Sequence, residues 1–121
     1  MKKINVTRSK ISQELFWKIH KIIKNNFQKI YFGGLNHECS GSSRYNFDFL
    51  ILDNKKVIEF NGDVYHANPK MFNVNDIPLK FLKKTAGEIW KIDKKKIDKA
   101  KDKGFDVKVV WEDDYLKNKE K

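Results

Sequence analysis

The chain has 121 residues, 35% of them charged, with a formal net charge of +10. That length bounds it to one domain with a single real core. The basic excess concerns partners rather than fold, and it places nucleic acid ahead of an anionic membrane, because no stretch pairs an apolar face with a purely basic one. The longest uninterrupted aliphatic or aromatic run is Phe49–Leu52, far short of a bilayer span. Residues 1–15 have no signal-peptide apolar core, and the lone Cys39 leaves neither an internal disulfide nor a Cys-rich zinc site. A reducing, cytoplasmic compartment is the expected home.

In chain order, residues 1–8 form a short basic lead. Lys10 to about Phe27 reads as a helix started by Ser9 or Ser12, with Ile11, Leu15, Phe16, Ile19, Ile22, Ile23 and Phe27 at helical spacing. Ile30–Phe32 suits a short edge strand, and the glycine- and serine-rich stretch 33–44 is loop chemistry. Tyr45–Leu52 and Lys56–Phe60 then read as a hairpin around Asp53-Asn54-Lys55. Residues 63–79 are irregular, punctuated by Pro69 and Pro78. Thr85-Ala86-Gly87-Glu88 is a capping box, so a helix begins there and runs to a C′ glycine at Gly104. Asp106–Trp111 is a last strand, and the charged tail from Glu112 is expected to fray. The expected fold is α/β: a small mixed sheet of about four strands flanked by helices, with a crossover setting the last strand parallel to a neighbour. A single domain would occupy residues 1–121, with its core at about 9–115.

The chemistry sits in the hairpin, in the loop after it and on the second helix. Asp48 falls between Phe47 and Phe49, and Glu59 between Ile58 and Phe60. A carboxylate inside a buried strand needs a partner. With a two-residue loop at Asp53-Asn54, Asp48 faces Glu59, and the pair suits a divalent cation with oxygen ligands such as Mg²⁺. The alternative is two carboxylates on an exposed sheet face. His66 comes after the hairpin, and an imidazole of ordinary pKa, about 6.5, takes a proton from water near neutral pH. On a helical wheel Asp93 lies in the middle of the apolar face made by Ala86, Ile89, Trp90, Ile97 and Ala100, so it wants a metal, a histidine or a lysine. Glu14, with Lys18 at i+4, reads from spacing alone as an ordinary helix ion pair. The lysines between Lys80 and Lys103 either form a solvated face or line a phosphate-binding surface, and Tyr65 and Trp90 are aromatic groups able to stack on bases or to fill a core.

Strand-borne Asp48, the segment VIEFNGDVYHANP (57–69), helix-borne Asp93, Gly104-Phe105 and VVWE (109–112) together resemble the very-short-patch-repair endonuclease fold, within the PD-(D/E)xK superfamily. The likeness is nearest to the phage homing-endonuclease relatives with a Glu/Asp/His/Asp active site. It implies a restriction-endonuclease-like domain in which Asp48 and the backbone carbonyl of Phe60 bind the metal; Glu59 remains a candidate ligand from the hairpin spacing. It implies that His66 activates water, that Asp93 orients His66 or holds a metal-bound water, and that Glu14 reaches the metal through water. Gly62 would allow a tight exit from the strand. Asn61, Tyr65, Asn68, Lys94 and Lys95 would meet nucleic acid. The lysine that the superfamily places after its glutamate is here Asn61, which moves the burden of proton transfer to His66. The repair enzymes' structural zinc has no counterpart, since Asp63 and Ala67 stand in that region.

The expected function is therefore a Mg²⁺-dependent endodeoxyribonuclease, Mn²⁺ substituting and no zinc, that nicks or breaks DNA. RNA is a second candidate substrate, and the compartment would be the host cytoplasm if a phage encodes the chain. The alternative is a catalytically inactive nucleic-acid-binding module on a nuclease scaffold; a third class is a basic interaction protein with an acidic partner. The chain's size leaves room for a homodimer or a helper protein, and no membrane contact is expected.

Overall fold

The computed structural model describes residues 10–32 and 47–119. The basic lead, Ser9, the 33–44 loop with Cys39, and positions 45 and 46 of the expected hairpin strand lie outside the described residues. Among the described residues there are three α-helices and four strands: α1 (Lys10–Ile23), β1 (Ile30–Phe32), β2 (Phe49–Ile51), β3 (Lys56–Asn61), α2 (Ala86–Asp102), β4 (Asp106–Trp111) and α3 (Glu112–Lys119). The strands form one mixed sheet in the order β1-β2-β3-β4, an α/β fold as expected. Contacts divide the chain into two compact units, residues 1–59 and 60–121, with the boundary inside β3.

In the first unit, β1/β2 and β2/β3 are antiparallel. Phe49 pairs with Ile58, Leu50 with Val57, and Ile51 with Lys56. One pair further out, the same register sets Asp48 opposite Glu59, as the sequence suggested. The connection is a 3-10 turn, Leu52–Asn54, closed by Lys55 in the left-handed region at φ 55°. It consumes Leu52, so β2 is shorter than expected. Asp53 stays exposed and binds the chain beside it: its carboxylate accepts the backbone N–H groups of Lys29 at 2.7 Å and Gln28 at 3.2 Å. Those bonds, the Lys29 one foremost, hold its pKa below the ordinary carboxylate value. The helix α1 is shorter than its apolar pattern, ending at Ile23 rather than Phe27. Phe16 is buried, its ring 5.9 Å from that of Phe32 and 5.3 Å from that of Phe49, so the helix covers the sheet face carrying these phenylalanines. Trp17 adds an edge contact to Phe32 at 5.0 Å.

In the second unit, α2 opens with the expected capping box: Thr85 Oγ1 accepts the Glu88 N–H and Glu88 Oε1 accepts the Thr85 N–H. It closes in a Schellman motif. Gly104, at φ 90°, donates its N–H to the Lys101 carbonyl, and Phe105 donates to Ala100. The buried face of α2, Ala86 and Ile89, packs with Ala67, Phe72 and Trp90. The tail departs from expectation. Glu112–Lys119 is a helix, with Glu112, Asp113 and Asp114 in its first turn and Lys117 and Lys119 in its last, an order the helix dipole favours. No helix among the described residues is long and apolar enough to cross a membrane.

Candidate active site

The loop beyond β3 is built by short-range bonds. His66 N–H donates to the Gly62 carbonyl, Ala67 N–H to Val64, and Asn68 N–H to Asp63. The left-handed residue is Ala67, at φ 54°, and not Gly62. A Cβ on Gly62 would meet only Glu112 Oε1, at an ordinary 3.8 Å, so the expected need for glycine at that strand exit is not there. Three residues far apart in sequence brace the loop. Asp63 donates its N–H to Glu112 Oε1 at 3.0 Å and accepts the Asp113 N–H on Oδ1 at 3.3 Å. The same Oδ1 accepts Asn68 Nδ2 at 2.9 Å. Trp90 Nε1 donates to the Ala67 carbonyl at 2.6 Å, which pins the loop to α2.

One turn further along α2, Asp93 meets the loop histidine. His66 Nδ1 lies 2.8 Å from Asp93 Oδ2, with side chains 35% and 27% exposed. The aspartate that the apolar face made anomalous has a histidine for its partner. A proton on Nδ1, donated to the carboxylate, puts the lone pair of the imidazole on Nε2. The same contact fixes the ring's orientation. Partial exposure lets water reach the ring without fully screening the pair.

In the first unit, Asp48 and Glu59 meet in a form the sequence did not suggest. The Asp48 N–H donates to Glu59 Oε2 at 2.9 Å, and Glu59 is buried. The Glu59 carboxylate thus satisfies backbone at the strand end, while Asp48 is the more exposed of the two. Glu14 lies on α1 with its Oε1 3.8 Å from Lys18 Nζ, the ion pair that helix spacing alone indicated. Among the described residues no group of three or more His, Cys, Asp or Glu is arranged to hold a metal. Mg²⁺ is bound through one or two carboxylates with water and substrate phosphate completing its shell. Asp48, half-buried in the first unit, offers carboxylate oxygens of the type such a sparse set uses.

The residues expected at nucleic acid differ in what they offer. Asn68 is 3% exposed, and its side chain is spent inside the loop: Nδ2 on Asp63, and Oδ1 on the Lys70 N–H at 2.9 Å. Asn61 is buried as well. Tyr65 is 64% exposed. Lys94 and Lys95 lie on the exposed side of α2, Lys94 paired with Asp98 at 2.7 Å. Trp90, an aromatic candidate for stacking, instead packs in the core beneath the loop. The bracing roles of Asp63 and Glu112 escaped sequence reasoning. Trp90 carried a signal, since an indole on an apolar helix face needs an acceptor for its N–H. Comparison of the chain with models of protein families, with curated proteins and with solved structures finds no match.

Proposed function

We propose that the chain is a metal-dependent endonuclease that hydrolyses DNA phosphodiester bonds by nicking or double-strand cleavage. The observation that carries this reading is the 2.8 Å contact between His66 Nδ1 and Asp93 Oδ2, on a loop directly beyond a carboxylate hairpin. His66 Nε2 takes a proton from the attacking water as its oxygen bonds to phosphorus. The bond from phosphorus to the leaving oxygen breaks, and that oxygen gains a proton from solvent. Asp93 holds the ring and stabilises the imidazolium that forms. Asp48 and the Phe60 carbonyl would hold Mg²⁺, with Glu14 behind a bound water. The ion would supply neutralisation of the phosphate charge. Lys94 and Lys95 attract the phosphate backbone.

The test is cleavage of supercoiled plasmid by the purified chain. Wild type is expected to cut with Mg²⁺ or Mn²⁺ and to stop with EDTA, while Asp48→Ala and His66→Ala are inactive. Full metal-dependent activity in both variants would overturn the assigned roles. Wild-type DNA binding with no cleavage in either metal would identify a binding module instead.

A further inference from the structure

Between the loop and α2 lies a segment that the proposed chemistry does not use. It is tied down at both ends. Asp76 Oδ2 accepts the Asn73 N–H at 2.6 Å, and the Asp76 N–H returns to the Asn73 carbonyl at 3.0 Å. Ala86 N–H donates to the Asp76 carbonyl at 2.7 Å, and Gly87 N–H to Val74 at 2.9 Å. Within these ties, Lys80–Leu82 makes a 3-10 turn closed by Lys83, left-handed at φ 54°. Leu82 N–H bonds to Leu79 and Lys83 N–H to Lys80, so the turn holds its own shape. At its tip Phe81 is 70% exposed. Lys80, Lys83 and Lys84, its near neighbours in sequence, are exposed as well. A phenyl ring held out in water forgoes the free energy of burial. An aromatic ring flanked by three cations matches a strand that alternates π-faces with phosphates.

We infer that the Lys80–Lys84 turn is a stacking contact for an unpaired DNA base, with Phe81 against the base and Lys80, Lys83 and Lys84 on the flanking phosphates. This rests on DNA being the ligand, but it does not depend on cleavage. Because the turn carries its own hydrogen bonds, the ring is presented with little further ordering to be done on binding. An apolar partner protein would also cover the ring, but it would have no use for the three lysines.

Fluorescence anisotropy with a single-stranded oligonucleotide, and quenching of 2-aminopurine placed within it, test the inference. Phe81→Leu keeps an apolar side chain and removes the π-face. It is expected to weaken single-strand binding by at least about fivefold and to abolish the quenching, while Phe81→Trp binds as well as wild type. Replacing the three lysines by glutamine is expected to lower the salt slope of single-strand binding by about 2. Circular dichroism melting confirms that each variant is folded. Unchanged binding by folded Phe81→Leu overturns the inference, and does so alone if wild type still binds and cuts DNA. Concentration-dependent self-association that Phe81→Leu removes would overturn it in favour of a second copy. A wild-type chain that binds no DNA at low salt would defeat both this inference and the proposed function.

Discussion

Asp93 sits on an apolar helix face beside Ile89 and Ile97, and its proximity to His66 is what makes that position tolerable. In the proposed mechanism the pair divides its labour unequally: His66 moves the proton, whereas Asp93 acts through the ring. His66→Gln is therefore expected to lower kcat by about 10²- to 10⁴-fold. Asp93→Asn keeps the volume and loses the charge, and a positioning role predicts a fall of about 10- to 100-fold in kcat at unchanged KM. A rise in KM at constant kcat would place Asp93 in substrate binding instead. Glu88 gives a second residue-level prediction. Its carboxylate accepts the Thr85 N–H foremost, which holds its pKa below the ordinary 4.5. A lowered folded-state pKa means that the cap stabilises above the unfolded value and is lost as pH falls through the folded one. Thermal melting should show Glu88→Gln below wild type at neutral pH, with the gap closing on the acid side of 4.5.

Elements formed where local chemistry was sufficient, and they were legible for that reason. Alternating apolar residues and a polar turn set the hairpin register, and Thr85 with Glu88 marked the start of α2. Gly104 marked its end, and a left-handed C′ position explains why. Gly104→Ala would force a Cβ into φ 90°, so a loss of about 1–2 kcal/mol is expected in denaturant unfolding. The loop that carries His66 was legible only as irregular chain. Its braces are long-range: Asp63 to Glu112 spans 49 positions, and no local pattern reports such a bond. The helix α3 was hidden in the same way, its charges reading as solvated tail until Asp63 donates to Glu112 and accepts from Asp113 at its first turn. Trp90→Phe tests the brace that holds the His66 loop to α2. It keeps most of the packing but leaves the buried Ala67 carbonyl without the indole donor. A cost of about 1–3 kcal/mol is expected, with a fall in kcat as His66 loses its fixed place relative to Asp93.

At the scale of the whole molecule, a net charge of +10 guarantees attraction to any polyanion and therefore does not by itself locate a binding face. Salt dependence can locate it. Each lysine that neutralises a phosphate of duplex DNA contributes about 0.9 to the slope of log affinity against log salt, whereas a distant lysine contributes little beyond a screened field. Lys94 and Lys95 lie together on α2, and Lys21 and Lys24 are exposed at the end of α1. Changing either pair to glutamine removes the same charge. If the exposed face of α2 carries the backbone, the Lys94/Lys95 pair lowers the duplex slope by nearly 2 and the Lys21/Lys24 pair barely changes it. The Asp98 ion pair does not protect Lys94 from this exchange, because both side chains are well exposed and such a pair is worth less than a phosphate contact. Equal losses from the two pairs would mean that the charge acts as a diffuse field, and that DNA is held without a defined face.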